Sequence, residues 1–136
     1  MNDANFRHLL PQGWPRPKGY SNGIAAKGTV IVTGGLIGWN EKEEFEAKDF
    51  VGQAKQTFKN IVAVLAEAGA EPQNLVRLTW YVRDIDEYKA AMKDLGSAYR
   101  EVFGKTFPAM ALVQVAGLVE DEARLEIEAT AVIPDA

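Results

Sequence analysis

Glu126 and Glu128, in "LEIEATAV", stand two residues apart. On a strand that spacing puts both carboxylates on one face. If they are shielded from water, two like charges so close raise one pKa, and a carboxyl so tuned can hold or deprotonate a water molecule. A solvated polar face explains the same spacing, so the surroundings decide between the two. "TGGLIG", Thr33 to Gly38, places glycines after a strand. It lacks the Lys-Ser/Thr of a P-loop and does not open a helix as GxGxxG does. It serves either tight turning or backbone N–H groups that face a small anionic or carbonyl ligand. His8 is the one histidine. A Ser-His-Asp triad or a multi-histidine metal site would have to be built around it alone, so a surface histidine and no metal are expected. Tyr20, Tyr81 and Tyr99 offer phenols, which at strand starts or on helix stripes usually pack with a satisfied hydroxyl.

Composition narrows the chemistry. A chain of 136 residues without cysteine has no disulfide, thiolate metal site or cysteine nucleophile, and it fits a reducing compartment, with the cytoplasm as the default. It is expected to form one domain over residues 1–136, with 47% hydrophobic and 25% charged residues in the ordinary globular range. The apolar runs are too short for a membrane helix or a signal peptide. A net charge of -4 supplies no basic field for phosphates, so nucleic acid and membrane are not expected partners.

The elements that must position these groups follow from periodicity. Residues 1–18, with Pro11, Gly13, Pro15 and Pro17, read as an irregular arm packed down by Trp14. "YSNGIAAKGTVIVTGG" reads as two short strands in a hairpin that turns at Lys27-Gly28. From about Asp49, the residues Val51, Ala54, Phe58, Ile61, Leu65 and Ala68 trace one helix, which Gly69 and Pro72 end. "LVRLTWYV" is a strand with Val76, Leu78, Trp80 and Val82 on the core face. Asp84 and Glu87 open a second helix that carries Tyr88, Ala91, Leu95, Ala98 and Val102 and stops at Gly104. Strands at about 109–116 and 124–132 complete the order β-β-α-β-α-β-β.

Two helices with one-sided stripes cover one face of the sheet, which predicts a two-layer α+β sandwich, a mixed sheet with both helices on one side. Alternation then sets Arg77, Thr79, Tyr81, Met110, Leu112, Gln114, Glu126, Glu128 and Thr130 on the open face. That face is too apolar for solvent and too polar for a core, which suggests a subunit interface with a wet pocket.

Read together and in order, "GYSNGIAAKGTVIVTGGLIGWN", "QAKQTFKNIVAVLAEAGA", "NLVRLTWYVRDIDEY", "FPAMALVQVAGL" and "LEIEATAV" resemble the RidA/YjgF family of reactive-intermediate deaminases across residues 15–133. The resemblance implies a chorismate mutase-like fold, a homotrimer whose sheets close into a central barrel, and small-molecule clefts between adjacent subunits, with no cofactor. In the family a Pro-Ala-Arg-Ser/Thr motif supplies an arginine that binds the carboxylate of a 2-imino or 2-amino-alkenoic acid. A glutamate on the last strand is associated with the hydrolytic water. Carried over by motif, Pro108 and Ala109 match, Glu126 falls on the glutamate, Tyr20 on a pocket tyrosine and Gly35 on the glycine of a Ser-Gly-Gln segment. Met110 falls on the arginine. Gly34 and Leu36 also depart from the family's Ser and Gln, and Leu112 stands where a small polar residue or cysteine is common.

Methionine has no donor and no charge where arginine offers a bidentate clamp. A carboxylate taken from water against it would lose several kcal/mol. Together with Leu36, Leu112 and Trp39, Met110 would make the pocket apolar. The expectation is therefore a divergent RidA-like hydrolase of an enamine, imine or related labile C–N bond in a relatively apolar molecule, with Glu126 as the catalytic group. The alternative is a non-catalytic trimer that binds a small metabolite. Cleavage of RNA is weakened by the acidic balance. Lys105 and Arg77 remain as cations that could replace the lost charge.

Overall fold

The computed structural model describes residues 4–136, so the first three residues of the expected arm lie outside the described ones. The elements are β1 (Phe6–His8), β2 (Ile24–Ala26), β3 (Gly28–Val32), α1 (Phe50–Glu67), a 3₁₀ turn (Pro72–Asn74), β4 (Leu75–Val82), α2 (Ile85–Ala90), α3 (Met92–Phe103), β5 (Ala109–Gln114) and β6 (Leu125–Pro134). The main sheet has the order β3-β6-β4-β5. Its β4–β5 pair is parallel and its other pairs are antiparallel, so the sheet is mixed. The helices lie on one face of it, and α1 packs on α3 and on β6. The two-layer α+β architecture is the expected one.

Each helix begins and ends where local chemistry dictates. Asp49 caps α1 by accepting from the Gly52 N–H at 3.0 Å, and Asp84 caps α2 by accepting from the Asp86 N–H at 2.9 Å. Gly69 and Gly104 turn the chain left-handed just past α1 and α3, at φ 75° and 74°. The apolar stripe of α1 buries Phe58, Ile61 and Leu65 against Leu78 of β4 and Leu125 and Ile127 of β6. Each such side chain contributes about 1.5–3 kcal/mol. Phe58 also meets Trp80 and Tyr99 edge to face, at centroid distances of 5.6 and 5.5 Å.

Five details differ from the sequence reading. The arm is not wholly irregular, because Phe6–His8 pairs antiparallel with β2. The expected hairpin is absent: β2 pairs with β1 while β3 pairs with β6, so the chain passes between sheets at Lys27 without reversing. A register shift between Leu75 and Arg77 turns Leu75 into the core, 1% exposed, in place of Val76. The second helix is broken at Ala91, whose N–H bonds back to the Tyr88 carbonyl as in a 3₁₀ turn.

The fifth difference matters most for the site. β5 runs parallel to β4 with Leu78 opposite Met110 and Trp80 opposite Leu112. Directly paired residues share a face, so Met110 and Leu112 lie on the helix side, partly buried against the core. Gln114 follows them, accepting the Ile85 N–H at the start of α2 at 2.9 Å. Ala111 and Val113 take the open face instead. "AMALV" is apolar at every position, so its alternation carried no phase, and only pairing with β4 sets it.

Candidate functional site

Met110 and Leu112 form the floor of a cleft of about 570 Å³ between the β5 edge and the α2–α3 break. Trp80, Tyr88, Met92 and Leu95 wall it, Tyr20 reaches it from the segment before β2, and Lys18, Arg100 and Lys105 complete its lining. The Tyr99 hydroxyl donates to the Thr106 carbonyl at 2.8 Å, and burial pushes its pKa far above the ordinary phenol range. It remains a neutral packing group. Trp80 is 4% exposed, and its buried indole Nε1 has no hydrogen-bond partner among the described residues.

The entrance to β5 is fixed by the arm. The Ser21 N–H donates to the Pro108 carbonyl at 3.0 Å, and the Ser21 hydroxyl donates to the Phe107 carbonyl. His8 Nδ1 lies 2.8 Å from that hydroxyl. With the hydroxyl proton committed to Phe107, the ring nitrogen is the donor of this pair. His8 is thus a half-buried part of a clasp that holds the Phe107–Met110 segment, not a surface histidine. Burial holds its pKa below the usual imidazole value.

A second group of residues lies on the open face. Glu126 pairs with Tyr81 and Glu128 with Thr79, so both carboxylates point away from the helices. The Tyr81 hydroxyl donates to Glu128 Oε1 at 2.6 Å, and that bond raises the phenol pKa. Glu126 has no hydrogen-bond partner among the described residues and sits against Gly35, where a Cβ would collide with its carboxylate. Glycine at 35 therefore lets the backbone approach the acid. Thr33 and Leu36 hold that segment along β6: the Leu36 N–H donates to Ile127 O and the Ile127 N–H to Leu36 O, both at 2.9 Å.

The seven residues singled out from the sequence thus separate. Tyr20, Met110 and Leu112 meet in the cleft, and Gly35 and Glu126 meet on the open face. The Leu36 side chain packs against the core beside Ile127. Trp39 lies against Phe45 at 5.9 Å, with its carbonyl held by Asn60 at 2.8 Å. Neither is in the cleft. Of the two cations considered, Lys105 lines the cleft, whereas Arg77 is exposed on the opposite face, paired with Thr130. The cleft residues that sequence reasoning missed, Tyr88, Met92, Leu95 and Tyr99, recur at spacings of four, three and four. Tyr88 and Leu95 belong to the stripe read from the sequence as core-facing, and Met92 and Tyr99 lie one step round the helix from it. Among the described residues no cluster of His, Asp and Glu is placed to hold a metal ion.

Comparison with known proteins matches residues 15–133 to the family model described as endoribonuclease L-PSP. A 2-iminobutanoate/2-iminopropanoate deaminase of Escherichia coli is 34% identical over 105 residues, 77% of this chain and 80% of that protein. A RutC family protein of Pyrococcus abyssi is 35% identical over 118 residues, 86% of this chain and 89% of its own. Among solved structures, a conserved Rid family protein of unknown function from Yersinia pestis superposes with a TM-score of 0.79 at 29% identity, covering 95% of this chain and 99% of that one. The YjgF gene product of E. coli superposes with a TM-score of 0.68 at 33% identity, covering 93% and 98%. On sequence and on fold alike, the chain belongs to the endoribonuclease L-PSP family, that of the YjgF and Rid proteins.

Proposed function

We infer that the chain is a divergent Rid hydrolase that cleaves an enamine, imine or related labile C–N bond in a relatively apolar small molecule. One observation carries this reading: the Gly35–Glu126 pair is kept while Met110 leaves the floor of the cleft without a cation. Relatives that are named 2-iminobutanoate/2-iminopropanoate deaminases supply the reaction class. Glu126 takes a proton from water as its oxygen bonds to the imine carbon. The C=N electron pair moves to nitrogen, which accepts that proton; the carbinolamine hydroxyl then gives its proton to the nitrogen by way of Glu126 as the C–N bond breaks, which releases amine or ammonia and leaves a carbonyl.

Met110 and Glu126 lie on opposite faces of one sheet, so a single copy cannot bring both to one substrate. A homotrimer closed through the open sheet faces, with the cleft of one copy meeting the carboxylate of the next, accounts for both halves. Val30 and Val32 on β3 and Val113 on β5 support it, being 63%, 69% and 48% exposed on that face. A chain without cysteine and with a net charge of -4 fits the cytoplasm and a small-molecule ligand better than nucleic acid or a membrane.

Glu126→Gln should lower turnover by about 10²–10⁴-fold and leave substrate binding within a factor of about two. Turnover that survives this change removes Glu126 from the chemistry. A second reading, a non-catalytic metabolite-binding trimer, is favoured by the same apolar floor. It predicts a ligand that binds the wild type and Glu126→Gln alike, with no C–N cleavage by either.

A further inference from the structure

The Met110 cleft combines an apolar floor with a cationic rim. At the lining's exposed edge stand Lys18, Arg100 and Lys105, and the ion pairs of the described residues use none of them. The rest of the lining includes the apolar side chains of Met110, Leu112 and Leu95.

We propose that this cleft takes an elongated amphipathic anion: an acid group at the Lys18–Arg100–Lys105 rim and an apolar aryl or alkyl body over Met110, Leu112 and Leu95. The inference rests on the reading above that the cleft is the substrate site, and it adds the substrate class. An arginine at position 110 would seat an acid group on the floor. With methionine there, the acid group gains its charge partners only at the rim. The molecule must then be long enough to reach the rim while its body stays on the floor. A volume of about 570 Å³ lies in the range of sites for drug-sized ligands, far more than a three-carbon acid fills.

Calorimetric titration of the purified full-length protein tests this with three probes: 5-phenylpentanoate, its amide and pyruvate. The aryl acid should bind about tenfold or more tighter than the amide, and pyruvate should not bind at the same concentrations. Arg100→Gln with Lys105→Gln should erase the preference for acid over amide and spare the amide. Rising salt should weaken the acid and leave the amide unchanged. Equal binding of acid and amide, no binding of either aryl probe, or pyruvate binding as tightly as the aryl acid overturns the proposal. Loss of the acid preference in a protein whose turnover still depends on Glu126 sinks this inference alone, whereas turnover indifferent to Glu126 sinks the hydrolase reading.

Discussion

The two faces of the sheet divide the work. On the helix face, the Met110 cleft is built from side chains that also belong to the core: Trp80 packs on Phe58, and Leu95 is 6% exposed. On the open face, Glu126 and Gly35 rest on backbone ladders and are bounded by exposed valines. The cleft is lined by side chains of one chain that packing holds in place. The open-face carboxylate is positioned by backbone approach, and the proposed trimer would bring it to a second copy. Variants should separate the two.

The largest effect is expected from charge on the open face. Val30→Asp with Val32→Asp places two carboxylates where the trimer would close. Light scattering should then report a monomer, turnover should fall to background, and the aryl acids should still bind the cleft. A double variant that stays assembled breaks the comparison at its root.

A smaller loss should follow Gly35→Ala. The added methyl collides with the Glu126 carboxylate, and a misplacement of about 1 Å at a reacting group costs on the order of 10²-fold in rate. The prediction is a fall in kcat with cleft binding and oligomeric state unchanged. If kcat holds, Gly35 serves the turn and not the acid.

Met110→Arg sharpens the comparison from the other side. It should confer measurable pyruvate binding, since a charge-assisted hydrogen bond contributes about 1.5–3 kcal/mol, and weaken the aryl acids by crowding the floor. Unchanged preferences would mean that position 110 does not select the ligand.

How much of this was legible in the sequence depended on whether a stretch carried its own phase. α1 could be read to within a residue because its stripe, the Asp49 cap and Gly69 agree. Glu126 and Glu128 could be given their face because Leu125, Ile127 and Ala129 alternate with them and are all buried. β5 could not, because "AMALV" is apolar on both faces and its parity comes from β4, about thirty residues earlier. Met110 was assigned to the wrong face for that reason.

The clasp that holds the cleft's entrance gives the smallest effect and a clean sign. His8 is the one histidine of the chain, and burial lowers its folded pKa below 6.5. Between that lowered value and 6.5 the unfolded chain binds more protons than the folded one, so stability rises with pH through this window. The contribution is complete above about 6.5 and is lost as the pH falls toward the folded value. His8 is expected to contribute a slope of stability with pH in this window. His8→Asn should flatten it, with a change in melting temperature of the order of 2 °C, and should leave Glu126-dependent turnover in place. A slope that survives the substitution would remove His8 as its source and leave the Ser21 hydroxyl bond to Phe107 as the part of the clasp that sets the start of β5.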